Sequence, residues 1–234
     1  MANTTPKFRF VVATREKAED FATKTMTGRM LAFYNYPFVE VALYPENTTG
    51  LSSIYNREIE KAKDNPAILI FAHDDIYLTD FYWPNQILNG LKQFDVLGVA
   101  GNKKWTPGQP SWAFKEIKDG KLIWDDKENL SGIVAHGDGF PPKNLSRYGP
   151  TGQAVEVLDG LILIADSKKL IETGVRFDEQ FDFHFYDLDF CRAGRKAGLK
   201  LGTWALSVIH QSGGGFGSTS WKAAFTKFSS QTAS

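Results

Sequence analysis

Cysteine is nearly absent. Cys191 is the single one in 234 residues, which excludes an internal disulfide and a multi-Cys zinc site. Excess charge is also missing. Lys plus Arg and Asp plus Glu stand at 27 each, so net charge points neither to nucleic acid nor to an anionic membrane. No apolar run approaches the roughly 20 residues of a membrane span. The polar N-terminus has no signal-peptide hydrophobic region. The expectation is a cytoplasmic protein with no transmembrane segment. There is no internal repeat. The glycine run Gly213-Gly214-Gly215 reads as a turn whose N–H groups could approach a phosphate. It lacks the Lys and Ser/Thr spacing of a Walker loop.

Aromatic residues are plentiful, at 14%. Several Trp and Tyr fall in loop-like stretches, which suits a cleft for flat or ring-shaped ligands, although core packing uses the same residues. The hydrophobic share of 42% and the length fit one large domain with a sizeable core.

One stretch organises the chain. Ala67 to Ala72 is apolar at every position, the pattern of a strand buried on both faces. It runs directly into His73-Asp74-Asp75. Carboxylates are not buried unpaired, so the chain must surface there, at the strand end where open α/β sheets bind ligands. Two readings are open for this motif alone. It is either a hard-donor site for Mg²⁺ or Mn²⁺ or an Asp-rich turn that caps the next element.

Around this stretch the pattern alternates. Residues 7–13, 38–44, 67–72 and 95–101 read as strands, and 17–33, 50–63 and 83–94 as helices. Strand and helix in turn predict a doubly wound sheet. Over 102–153 the pattern breaks down. Short strands at 113–118 and 121–124 flank an Asp119-Gly120 hairpin turn, an apolar run covers 132–136, and 137–153 reads as a long loop. Residues 155–164 form a strand interrupted by Asp159-Gly160. A helix spans 167–173 with Ser167 as its cap, and another spans 186–198, opened by Asp187. A last strand covers 199–209.

Several segments in this order resemble a known family: Phe71-Ala72-His73-Asp74-Asp75-Ile76, Leu97 to Gly101, Leu158-Asp159-Gly160, Phe177-Asp178-Glu179, Phe183 to Phe190, and Ile209-His210. The chain resembles the family 2-type glycosyltransferases of GT-A fold, most of all the glycosyltransferase-like group named after a streptomycin-biosynthesis protein. The resemblance implies a Rossmann-like, mostly parallel central sheet with helices on both faces and a small irregular acceptor-side lobe. It implies a single domain over 1–228, with a nucleotide-sugar half at about 7–101, an acceptor half at about 102–228, and a flexible tail at 229–234.

The resemblance also implies roles. Asp75 matches the metal-binding Asp of the family's Asp-x-Asp, and His210 a further metal ligand, with Mn²⁺ or Mg²⁺ as cofactor. His73 stands where the family has the first Asp, so the ribose contact falls to His73 or Asp74. Thr14, Arg15 and Asn56 match positions near the base and nucleotide. Asp159 and Gly160 fall in one of the resembling segments and are expected at the nucleotide sugar; for Asp159 two readings stay open, a donor or acceptor contact and internal hydrogen bonding. Asp187 matches the catalytic base, and Tyr186 replaces the Glu that usually precedes it. The implied activity is metal-dependent transfer of a sugar from a nucleoside-diphosphate sugar, a UDP-sugar foremost, to a glycan or other hydroxyl acceptor, with inversion. Two alternatives stand beside it, a non-catalytic nucleotide-sugar or carbohydrate-binding module and a metal-dependent nucleotidyltransferase.

Overall fold

The computed structural model describes residues 6–212 and 215–232. Gly213 and Gly214 of the glycine run lie outside them. In chain order the elements are β1 (Phe8–Ala13), α1 (Ala18–Lys24), α2 (Met26–Phe33), β2 (Val39–Tyr44), α3 (Leu51–Lys61), β3 (Ile68–Ala72), β4 (Ile76–Leu78), α4 (Trp83–Gly90), β5 (Val96–Gly98), β6 (Ala100–Asn102), β7 (Phe114–Lys118), β8 (Lys121–Trp124), β9 (Leu130–His136) and β10 (Asn144–Gly149). There follow β11 (Ala154–Val155), β12 (Val157–Leu158), β13 (Ile162–Asp166), α5 (Ser167–Thr173), α6 (Tyr186–Lys196), β14 (Leu201–Thr203), β15 (Val208–His210) and α7 (Thr219–Thr232).

The main sheet has the order β11-β14-β5-β13-β3-β1-β2. β1, β2, β3, β5 and β14 run one way, and β11 and β13 run against them. β3 sits between β1 and β13 and is buried at all its positions. That burial is why its sequence shows no alternation. Phe8, Phe10, Ile70, Phe71 and Trp83 pack about it in one continuous core.

A second sheet has the order β12-β6-β9-β15-β4, with β10 paired to β9 off that path. Residues expected to form one strand over 95–101 divide between the two sheets at Val99, β5 entering one and β6 the other. The expected final strand over 199–209 divides in the same way into β14 and β15. Gly132 makes the crossing possible. Its φ is +112°, and an added Cβ would lie 2.1 Å from the Val99 carbonyl oxygen. Only glycine lets two backbones approach so closely.

Other expectations are corrected. The helix at 17–33 is two helices, because Thr25 is extended and its hydroxyl accepts from Gly28 N while donating to Phe21 O. The loop at 137–153 contains β10, which pairs antiparallel with β9. The helix after β13 is capped by Asp166, whose side chain accepts from Lys168 N, and not by Ser167. Ser167 instead accepts from Ala67 N. α7 continues through residues 229–232, where a frayed tail was expected. The 119–120 hairpin turn is present, with Asp119 and Gly120 both at positive φ.

Candidate active site

β3 ends at Ala72, and the turn 73–75 reverses the chain into β4. Thr27, fully buried on α2, holds that turn. Its hydroxyl lies 2.7 Å from His73 O and 2.9 Å from Ile76 O and accepts from Ile76 N, and its own N–H donates to Asp74 O. β4 pairs antiparallel with β15, with Ile76 opposite His210. This register sets His210 beside Asp75. His210 Nε2 is 3.4 Å from Asp75 Oδ1, and His73 Nδ1 is 3.9 Å from the same oxygen. One ligand atom from each of the three residues falls within 4.8 Å of the others, a group that could hold a metal ion.

The orientation of His73 follows from Tyr186. The Tyr186 hydroxyl donates to Gly160 O at 2.8 Å and lies 2.9 Å from His73 Nε2. A carbonyl only accepts, so the hydroxyl proton is committed and Nε2 must carry the proton it shares with Tyr186. Nδ1 is left with its lone pair, on the side of Asp75. Burial drives the His73 pKa down to about 4, against the pull of Asp75. The ring is therefore neutral, the state that ligates.

Around Asp75, burial opposes ionisation, but His210, His73 and the Ser212 side chain outweigh it and hold the carboxyl well below the usual range. Burial also opposes charge on His210, and Asp75 overcomes it, leaving that imidazole above its ordinary value.

Across the cleft stands Asp187, in the first turn of α6. Its Oδ2 accepts from Gly160 N at 2.9 Å and its Oδ1 from Leu188 N at 2.9 Å. Burial first, and then the Asp159 carboxylate, push its pKa up to about 7. Asp159 is itself raised by burial, and its Oδ1 accepts from Leu161 N. Gly160 is glycine for a local reason. An added Cβ would sit 2.4 Å from the Tyr186 hydroxyl. α6 begins under strain, with Phe185 at its N-cap at φ 66°. Such a left-handed non-glycine residue costs about 1–3 kcal/mol, and the rings of Trp221, Phe225 and Phe228 on α7 pack around Phe185 to hold it.

These groups line one cleft of about 620 Å³. His73, Asp74, Asp75, Asp159, Gly160, Asp187 and His210 are all in its wall. Thr14 is buried behind it and donates to Asp74 Oδ2 at 2.6 Å. Arg15 is exposed and outside the wall. Asn56 is outside too. Its amide donates to Phe177 O and Glu179 and accepts from Phe177 N, so it pins the 177–179 loop and does not face the cleft.

Sequence reading passed over Thr27 and gave Tyr186 no role. His136 lies in the cleft wall beside His210, to which β9 and β15 bring it in register. Tyr186 had a visible signal, because it and His73 are the two departures from the family pattern, and they touch.

A family model described as "Glycosyltransferase like family" matches residues 39–213. The chain belongs to that family. Among solved structures, this glycosyltransferase-like chain is similar to A197 from STIV, at a TM-score of 0.51 and 9% identity over 88% of this chain and 86% of that one. It is also similar to GalNAc-T7 with UDP, GalNAc and Mn²⁺, at 0.50 and 12% over 96% of this chain and 48% of that one. The catalytic domain of Drosophila beta1,4galactosyltransferase 7 in complex with xylobiose aligns at 0.49 and 13% over 95% and 80%. At such identities the likeness speaks to fold alone, and the fold is GT-A. No curated protein matches the chain significantly.

Proposed function

We propose that this glycosyltransferase-family chain is a metal-dependent, inverting enzyme. It would transfer a sugar from a nucleoside-diphosphate sugar, in the simplest case a UDP-sugar, to an acceptor hydroxyl. One observation carries the reading: a His–Asp–His donor group and a carboxyl with pKa near 7 share a single cleft. The combination of UDP, a sugar and Mn²⁺ bound to GalNAc-T7 supports the same ligand class. The resembling segments also support a place near the group named after a streptomycin-biosynthesis protein.

The donor set fits a divalent ion. Two imidazole nitrogens and one carboxylate suit Mn²⁺ better than Mg²⁺, which prefers oxygen throughout. His73, Asp75 and His210 would hold it. When bound, such an ion offsets charge on diphosphate oxygens as a Lewis acid. No Lys or Arg is among the described residues of the cleft wall.

The chain's own groups do the rest. Asp187 accepts the acceptor's hydroxyl proton. With a pKa near 7 it is substantially ionised at neutral pH yet basic enough to take a proton. Attack from the Asp187 side, opposite the leaving diphosphate, inverts the anomeric centre. Gly160 N and Leu188 N fix the carboxylate plane. Asp74 and Asp159 supply acceptors for donor hydroxyls, with Thr14 positioning Asp74. In this reading residues 7–101 form the donor half and 102–228 the acceptor half.

The test is release of nucleoside diphosphate from a panel of nucleotide sugars, with Mn²⁺, with Mg²⁺ and with chelator. Steady Mn²⁺-dependent release is expected. Binding of the nucleotide sugar by thermal shift with no turnover would make the chain a binding module. Release of pyrophosphate would make it a nucleotidyltransferase.

A further inference from the structure

An open sheet edge is a template for another strand unless it is short, bulged or charged. Most edges of this protein are blunted in one of those ways. β11 and β12 are two residues long and β4 is three. β10 shifts register against β9 between Arg147 and Gly149. The β7–β8 hairpin carries Lys115, Lys118 and Lys121. β2 is different. It ends the main sheet with six residues, Val-Glu-Val-Ala-Leu-Tyr, with no Lys, no Pro and an unbroken register on β1. Phe8 N donates to Phe38 O, and Thr14 N to Tyr44 O. In that parallel register Glu40, Ala42 and Tyr44 turn their backbone groups toward β1, so the N–H and C=O groups of Val41 and Leu43 point outward. Among the described residues nothing bonds them. Val41 itself is 44% exposed.

We propose that β2 pairs antiparallel with β2 of a second copy of this chain, joining two main sheets across a two-fold axis at Ala42. Three features select a second copy. The register is self-complementary. With Ala42 opposite the partner's Ala42, Val41 and Leu43 exchange backbone bonds with the partner's Leu43 and the partner's Val41, and their apolar side chains cover one another on one face. The smallest side chain of the strand stands at the axis, where opposed Cα atoms of a non-hydrogen-bonded pair approach to about 4.5 Å. Charge is complementary on the other face. Glu40 falls opposite the partner's Tyr44, and in each copy the exposed Arg57 lies 5.6 Å over the Tyr44 ring. Each Glu40 therefore meets the partner's Arg57. Its Oε1 accepts a single bond, from Lys7, and has a lone pair left for that donor.

No residue of β2 lines the cleft, so the pairing stands apart from the transferase reading and is tested by oligomeric state. The full chain is followed by sedimentation velocity from about 1 μM to about 1 mM. One strand-to-strand contact is smaller than a standard interface, so a concentration-dependent dimer is expected. Val41→Lys keeps every bond to β1 and sets a charge on the edge. It should be monomeric throughout, with an unchanged Tm at low concentration. Arg57→Glu should raise the dissociation constant by about tenfold or more, and Arg57→Lys by clearly less. Ala42→Cys puts two thiols at the axis, and Cys191 is buried. It should form a disulfide-linked dimer under mild oxidation, and adding Val41→Lys should suppress the link. A wild-type monomer at about 1 mM would overturn the proposal, whether or not the edge takes a strand from some other protein. So would a Val41→Lys chain that dimerises like the wild type, undiminished affinity in Arg57→Glu, or an Ala42→Cys chain that stays unlinked.

Discussion

Asp187 and His73 are both displaced from their ordinary ionisation by burial, in directions that suit a base and a ligand. Unfolded, Asp187 would ionise near 3.8; folded, it keeps its proton to about 7. Its contribution to stability is full below 3.8 and is lost as pH rises through 7. Transfer rate should therefore climb with pH to a plateau, with an apparent pKa near 7, while the fold becomes less stable across the same window. Asp187→Asn should lower turnover by about 10²–10⁴, with donor affinity by calorimetry unchanged. The same variant should raise the Tm at pH 8 and leave it nearly unaltered at pH 4. A flat pH–rate profile in the wild type would remove Asp187 from the base role. Tyr186→Phe tests the neighbouring argument. It deletes the hydroxyl that fixes the His73 tautomer, and Mn²⁺ affinity should fall by about 10–100-fold, as for other outer-shell partners of a ligating His. Unchanged affinity would mean that His73 is oriented by other contacts.

At the scale of elements, the crossing of the two sheets at Val99 and Gly132 carries the strictest requirement. Gly132→Ala adds a Cβ 2.1 Å from a carbonyl oxygen at φ +112°. It should cost about 2–4 kcal/mol in chemical denaturation, far more than alanine at the open Gly108. The crossing also marks where sequence reading stopped working. Leu97 to Gly101 is apolar throughout, and a continuous run carries no sign that its two halves pair with different sheets. β3, α3 and the Asp119-Gly120 turn were legible because burial, helical spacing and turn chemistry are local. β10 was not, since its exposed, polar positions take their conformation from pairing with β9. The same division holds for the site. Asp75, His210 and Asp187 were found through motif order and all reach the cleft. Asn56 was placed by the same route, yet its amide is consumed by Phe177 and Glu179. Thr27 has no local signature at all, because its role depends on a turn 46 residues away.

For the whole molecule, the cleft is assembled from separate parts: the β3–β4 turn, the β13 entry, the α6 start, and strands of the second sheet. α7 joins them from outside. Trp221 lines the cleft, and with Phe225 and Phe228 it packs around Phe185, directly ahead of Tyr186 and Asp187. Truncation after Ser218 should therefore abolish transfer and lower the Tm, while far-UV circular dichroism retains the signature of both sheets. Full activity in the truncated chain would show that α6 holds its own start. Among the described residues no helix is long and apolar enough to cross a membrane.

The left-handed Phe185 has a practical corollary. A small molecule wedged under α7 would let that residue relax and swing the Asp187 carboxyl out of line. It would act where Phe185 and Trp221 meet, on side chains other than His73, Asp75 and His210. Its inhibition would be noncompetitive toward both substrates, and raising the concentration of either would not rescue the rate.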